Sequence, residues 1–288
     1  MISKARLELR PERTPFFCQW EVTCKCNLRC VMCYTDCFNA PEHIRRELPF
    51  SEIARIMDEL HEAGCAEILF TGGEPFARPD FLEIHDRAKK LGFVTSIFSN
   101  GTMIDERIAD RLAELPPSRV EISLHGVSAG VFEAVTAAPG SLEKCLRGLR
   151  LLKERGIPLV LKATAMTLNE TELLAVKSFA REHGAAFKMG ERMRETLDGD
   201  EAPRRFELRD ETLNALEARD EDLAREARAR EDAERPSCRG GAAKFHIDAY
   251  GVLQLCSGNR REGYDLTKGP FKTGFHERLP DFPCPNKR

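Results

Sequence analysis

Between residues 51 and 190 the chain repeats one unit: apolar residues at helical spacing, a glycine, then a short apolar or β-branched run. The stretch 51–63 ends at Gly64 and is followed by EILF at 67–70; 80–91 ends at Gly92 and is followed by FVTSIF at 93–98. The stretch 142–155 ends at Gly156 before LVLKA at 159–163, and 170–183 ends at Gly184 before a short run around Phe187. Glycine in that place supplies the left-handed residue that terminates a helix. One further helix is predicted over 105–115, stopped by Pro116-Pro117 and leading into RVEIS at 119–123. Asn169 with Glu172 reads as an N-terminal capping box. CQWEVT at 18–23 is the candidate first strand.

Six strands alternating with helices predict an α/β chain with a parallel sheet and helical crossovers. Periodicity alone fits an open doubly wound sheet or a barrel-like one. Past residue 190 the pattern changes. The segment 191–235 is dense in charge and helix formers and predicts a solvated helix or helix pair acting as a linker. The tail, 236–288, is rich in Gly, Pro and Cys, with a hairpin expected over 244–256 and Tyr250-Gly251 in its turn. The expected organisation is therefore a core over 1–190, a charged helical linker over 191–235 and a small module over 236–288.

The 288 residues carry 42% hydrophobic and 32% charged side chains and a net charge of −3, a composition that gives no support for binding nucleic acid or an anionic membrane surface. No apolar run reaches the roughly 20 residues that span a bilayer, and the first residues lack a secretory apolar stretch, so a cytoplasmic location is expected. Cysteine changes the picture. Of 11 in the chain, five fall between Cys24 and Cys37, which in a cytosolic chain of this size points to metal or redox chemistry.

TCKCNLRCVMCY places Cys26, Cys30 and Cys33 in a C-x3-C-x2-C array. Three thiolates in one loop can hold three irons of a [4Fe–4S] cube and leave the fourth iron open to another molecule. The alternative is structural zinc with Cys24 or Cys37 as fourth ligand, although zinc usually draws on two separated pairs. Cys65 and Cys145 sit in or beside helix patterns and are expected to be buried small hydrophobes.

An array of this spacing directly after a first strand resembles the signature of the radical S-adenosylmethionine (SAM) superfamily. That resemblance implies a partial (β/α)6 TIM-like barrel in which the open iron binds SAM. Its reductive cleavage gives a 5′-deoxyadenosyl radical that abstracts hydrogen from a substrate. Met32 stands where the family is usually aromatic. FTGGEP at 70–75 follows the second strand, and the resemblance assigns Gly72, Gly73 and Glu74 to the SAM amino group; paired glycines let backbone approach a ligand closely. SNGT at 99–102 and SLHG at 123–126 end the third and fourth strands, and by the same resemblance Ser99, Ser123 and His125 are candidates for the methionyl and ribose contacts. Many relatives have Asp at the position of His125, and some have Arg at that of Thr136. All these motifs lie at C-terminal strand ends, the edge where β/α sheets bind ligands.

Cys238, Gly251 and Cys256, followed by Cys284, resemble a shortened SPASM/twitch module holding one auxiliary iron–sulfur cluster; Cys18, Cys24 and Cys37 are possible sources of a fourth ligand, and zinc is the alternative metal. The resemblance implies an enzyme acting on a peptide or protein side chain, a peptide maturase. The alternative substrates are small molecules, an aminoglycoside-type alcohol or a tetrapyrrole; a second alternative is a non-catalytic iron–sulfur or zinc protein. An external flavodoxin- or ferredoxin-like electron donor is expected. Only about 20 residues precede the Cys loop, so a peptide-recognition domain would be a separate protein. No catalytic acid or base can be named from the sequence.

Overall fold

The computed structural model describes residues 13–190, 192–232 and 241–284; Cys238 lies outside them. The six expected strands are present: β1 (Phe17–Glu21), β2 (Glu67–Thr71), β3 (Val94–Ser99), β4 (Arg119–Ser123), β5 (Leu159–Thr164) and β6 (Ala186–Gly190). Each pairs in parallel with its sequence neighbour. The crossovers carry α1 (Phe50–Glu62), α2 (Phe81–Lys90), α3 (Glu106–Glu114), α4 (Ala129–Thr136), α5 (Ser141–Glu154) and α6 (Leu173–Glu182). The result is α/β, and the sheet is open, with order β6-β5-β4-β3-β2-β1 and then three further strands.

Strand alternation sorts the side chains. Cys18 and Trp20, Ile68 and Phe70, Val120 and Ile122, Leu161 and Ala163 are buried in one core cluster with the helices. The intervening positions carry Glu21, Thr71, Phe98, Glu121, Lys162 and Lys188 on the other face of the sheet. Cys65 and Cys145 are buried in the apolar core.

Two local expectations differ from what forms. The helix α4 has no strong apolar period and was not expected; Ser128 starts it by accepting from Val131 N–H at 3.3 Å. Asn169 does not cap a helix. The helix α6 begins later, at Leu173. Fully buried Asn169 instead donates to the His125 and Thr164 carbonyls at 2.8 and 3.0 Å and accepts from Met166 N–H at 2.9 Å. It therefore ties the ends of β4 and β5 together. Glu172 reaches back to Val127 N–H at 2.7 Å and Ser128 N–H at 3.1 Å.

The charged stretch folds as a helix pair, α7 (Asp210–Glu217) and α8 (Glu221–Asp232), with Leu213, Leu216 and Leu223 buried. The tail hairpin also forms, as β7 (Lys244–Ile247) and β8 (Val252–Gln254), followed by β9 (Tyr264–Asp265). Gly251 takes a left-handed φ of +81° in its turn. The hairpin does not hang beside the core. The strand β7 pairs in parallel with β1, so the tail extends the same sheet to nine strands. Phe245, Phe271 and Phe275 pack with ring centroids 5.2–5.4 Å apart and join the same core cluster.

Gly148, inside α5, shows how tightly a helix can control a strand-end loop: a Cβ there would lie 2.2 Å from Gly101 O. Gly148→Ala is therefore expected to cost roughly 1–3 kcal/mol from overpacking, more than the roughly 1 kcal/mol gained in helix propensity. Gly130→Ala in α4, where nothing lies within 4 Å, should be neutral or stabilising. Thermal melts of the two variants against wild type check the contrast; equal Tm changes would refute the steric reading.

Candidate functional site

The ends of β1, β2 and β3 converge on the Cys loop. From Val22 the chain is held by Thr71 O, which accepts from Val22 N–H at 2.9 Å. Glu47 accepts from Thr23 Oγ1 at 2.9 Å and Cys24 N–H at 2.7 Å, and Arg78, also buried, donates to Val22 O at 2.9 Å and Leu48 O at 2.8 Å. Asn39 closes the loop from the far side: Cys26 N–H donates to its Oδ1 at 3.1 Å, and its Nδ2 donates to Cys26 O at 3.0 Å. Thr136 O and Val135 O, at the end of α4, accept from Arg29 N–H at 3.2 Å and Val31 N–H at 2.9 Å. Met32 packs on a small apolar cluster of Val135, Met166 and Met193.

Within the loop, Cys33 N–H donates to Cys30 O at 2.9 Å. Cys26, Cys30 and Cys33 are only partly exposed. Burial pushes all three thiols up, Cys26 to about 12, and for Cys30 the facing Cys33 and Cys26 add to the effect. Unmetallated, they are neutral thiols; a bound cation would displace their protons. Two N–H donors already address Cys26 Sγ, Leu28 N–H at 3.5 Å and Asn100 Nδ2 at 3.8 Å. Such donors stabilise a cluster-bound thiolate. Among the described residues no three His, Cys, Asp or Glu side chains converge on one point as ligands of a single ion do. The ligands of a cube each take a different iron, so three neighbouring but separate thiols suit that group.

Gly72 and Gly73 each have a steric reason within the chain itself to lack a Cβ. A Cβ on Gly72 would lie 2.3 Å from Thr23 O, and one on Gly73 would lie 2.5 Å from Lys25 O. Gly73 N–H and Glu74 N–H donate to Thr23 O and Lys25 O, each at 2.8 Å. The close approach is to the chain's own Cys loop. Glu74 is fully buried, and its carboxylate accepts from Ser99 Oγ at 2.9 Å, Asn100 N–H at 2.7 Å and Phe76 N–H at 3.2 Å. Burial outweighs those bonds and raises its pKa to about 7. Glu74 and Ser99 thus hold each other, joining β2 to β3. Asn100, unremarked in the sequence beyond its place in SNGT, also bonds Asn27 Oδ1 at 2.9 Å.

At the β4 end, Ser123 is half-buried, and its hydroxyl has no hydrogen bond among the described residues. His125 is buried and kept neutral: burial and nearby Lys162 lower its pKa to about 4. Its Nδ1 accepts from Thr164 N–H at 3.3 Å, which places the ring proton on Nε2. Thr136 is turned inward, donating to Phe132 O at 3.0 Å and bonded to Ser141 Oγ at 2.8 Å.

A second network joins this site to the tail. Arg260 makes a bidentate pair with buried Glu21 at the end of β1. Burial alone would raise the Glu21 pKa, but His246 and Arg260 hold it down at about 2. Tyr34, next to Cys33, has two guanidiniums over its ring, Arg194 at 4.1 Å and Arg260 at 5.6 Å from the centroid. Both arginines donate to Ser257 O, at 2.6 and 3.1 Å, beside exposed Cys256. Asn259 Nδ2 donates to Pro283 O at 2.7 Å, so the segments around Cys256 and Cys284 are neighbours. Cys24 Sγ donates to Tyr250 OH at 3.5 Å. Signals for this network were absent from the sequence, because its members are spread from residue 21 to residue 283.

The model of the Radical SAM superfamily matches residues 20–180. The chain is 34% identical over 157 residues to Fe-coproporphyrin III synthase of Methanosarcina barkeri, covering 54% of this chain and 39% of that protein. It is 32% identical over 168 residues to PqqA peptide cyclase of Granulibacter bethesdensis, covering 57% and 44%. The chain thus spans less than half the length of these two curated relatives. Among solved structures, Streptococcus suis SuiB bound to the precursor peptide SuiA superposes with a TM-score of 0.73 at 16% identity, covering 96% of this chain and 68% of that one, a likeness of fold.

Glu74 makes a pH-dependent prediction. Its folded pKa, about 7, lies above the ordinary 4.5, so its stabilising contribution is complete below about pH 4.5 and is lost as pH rises through 7. Glu74→Gln removes that loss. The stability advantage of wild type over the variant should shrink by up to about 3 kcal/mol between pH 4.5 and pH 8. Denaturant melts of both proteins across that range test it; a constant gap would show that Glu74 is ionised throughout.

Proposed function

The chain belongs to the radical SAM superfamily, and from that premise we propose that it is a peptide-modifying enzyme whose Cys26, Cys30 and Cys33 hold a [4Fe–4S] cluster. When bound, the cluster and SAM supply a 5′-deoxyadenosyl radical able to take a hydrogen atom from an unactivated C–H bond. The observation that carries the reading is the joining of the Cys loop to the GGE and SNGT turns at one sheet edge, through Gly73–Thr23, Glu74–Lys25 and Asn100–Cys26.

In this reading the protein's own groups position and exclude. Leu28 N–H and Asn100 Nδ2 orient the Cys26 sulfur. Gly72, Gly73, Glu74, Ser99, Ser123 and His125 frame the SAM site: Glu74 and Ser99 fix its wall, while the Nε2 proton of His125 and the Ser123 hydroxyl remain to donate to SAM. Neutral His125 adds no charge to a site that must take a cationic sulfonium. Apolar Met32, Val135, Met166 and Met193 under the loop keep water from the reacting region.

The tail reading follows the same logic. Cys256 and Cys284 come from neighbouring segments, and with Cys238 they are proposed to hold an auxiliary iron–sulfur cluster, in a module over 236–288 that follows the core, 1–190, and the helical segment, 191–235. A peptide or protein side chain is the favoured substrate, supported by the name of the PqqA peptide cyclase and by the peptide bound to SuiB. Tetrapyrrole modification is the second reading, favoured by the name of the coproporphyrin synthase. An external flavodoxin- or ferredoxin-like donor would supply the electron, a separate protein would recognise the peptide, and the location would be cytoplasmic. Among the described residues no helix is long and apolar enough to cross a membrane.

Anaerobic reconstitution tests the proposal through iron content and the EPR spectrum of the reduced protein, with and without SAM. Wild type should hold about eight irons and the Cys26/Cys30/Cys33 triple Ala variant about four, with a SAM-induced spectral change only in wild type. About four irons in wild type and none in the variant would remove the auxiliary cluster alone. Zinc in place of iron, or no response to SAM, would overturn the catalytic reading.

A further inference from the structure

The strand β6 is an edge of the sheet, and β5 is its only strand neighbour among the described residues. Gly190 O accepts from Ala165 N–H at 2.7 Å, on the β5 side. Within a strand, the N–H and C=O of one residue point the same way, and successive residues alternate. Ala186, Lys188 and Gly190 therefore address β5, and Phe187 and Met189 direct their N–H and C=O groups outward. No hydrogen bond from the described residues reaches those outward groups.

Such edges are ordinarily blunted by proline, outward charge or a bulge. The strand AFKMG has none of these: its one charge, Lys188, turns to the inner face and pairs with Glu121 at 2.8 Å. Along the helix side runs a groove of about 340 Å³, lined by Phe187, Lys177, Ser178, Arg181, Asp220 and Asp222. Lys177 is neutralised there by Asp220 and by Asp222, the latter at 3.0 Å. Arg181 has no ion pair among the described residues.

We propose that this edge binds an extended peptide by β-augmentation, as a further strand beside β6, with an acidic side chain of the peptide set beside Arg181. The inference rests on the peptide-substrate reading above and supplies its docking surface. All six core strands are parallel, so the Gly190 end of β6 lies at the same sheet edge as the Cys loop. A peptide lying along β6 is thereby led towards the reacting region. Two outward residues, each with one donor and one acceptor, can hold a substrate that must leave again and are too few for a lasting dimer. Alternate side chains of the added strand would face the groove and the inner sheet face, and those two surfaces would select the side chains beside β6, while the separate protein would recognise the rest of the peptide.

Two measurements on the reconstituted protein test this. First, residue-resolved hydrogen exchange on the free protein should show Phe187 and Met189 amides exchanging far faster than that of Lys188. Equal protection would mean that another part of the chain or a second copy covers the edge, and would overturn the proposal. Second, a displayed library of random peptides is selected on wild type. Selected peptides should bind Met189→Ala nearly as well as wild type, since it keeps the outward N–H, and should bind Met189→Pro at least about tenfold more weakly, since proline removes it without touching the β5 ladder. They should be enriched in Asp and Glu and weaken several-fold on Arg181→Ala. A selection yielding no peptides, or only peptides indifferent to Met189→Pro, overturns the proposal. Iron content and the SAM-dependent EPR change are read on the same Met189→Pro protein. Their retention shows that it is folded, and their loss in wild type would mark failure of the radical reading instead.

Discussion

The site depends on one clasp of backbone against backbone. The Gly72–Glu74 turn at the end of β2 presses on Thr23 and Lys25 at the end of β1, with two hydrogen bonds of 2.8 Å and no room for a Cβ on either glycine. Everything that follows in the Cys loop is set by where that clasp ends. Glu74 extends it to β3 through Ser99 and Asn100, and Asn100 returns to the Cys26 sulfur. Three strand ends and the Cys26 sulfur are thus referenced to one another by a circuit of polar contacts. A buried carboxylate held near its own pKa is a costly part of such a circuit, and its three donors are what keep the cost tolerable.

The inner face of the sheet carries charge in two separate places. On β1, Glu21 pairs with Arg260 from the tail. On β4, Glu121 gathers Arg119, Lys162 and Lys188. Both carboxylates are buried, and both are held below the ordinary carboxylate range by the cations around them, against the opposing effect of burial. A parallel sheet with helices on both faces would be apolar throughout. Here one face is apolar under the helices and the other is polar. The Glu21–Arg260 pair also makes the tail part of the site, since Tyr34, two arginines and Ser257 connect the neighbours of Cys33 and Cys256.

The repeated helix–glycine–strand unit determined the six β/α units and their parallel pairing, because amphipathic period and glycine termination act within a few residues of each other. The cysteine spacing narrowed the chemistry to an iron–sulfur or zinc site, since ligand softness and number are properties of the residues themselves, and the resemblance to the radical SAM signature chose between them. Tertiary structure alone decided the rest. It gave Gly72 and Gly73 their partner in the chain's own backbone, turned Asn169 from a helix cap into a tie between β4 and β5, and filled the Glu74 carboxylate with Ser99, Asn100 and Phe76. It also laid β7 beside β1, a pairing of strands more than 200 residues apart that no local pattern records. Periodicity reports which side of an element is buried. Which distant group it is buried against is settled only when all the elements pack at once.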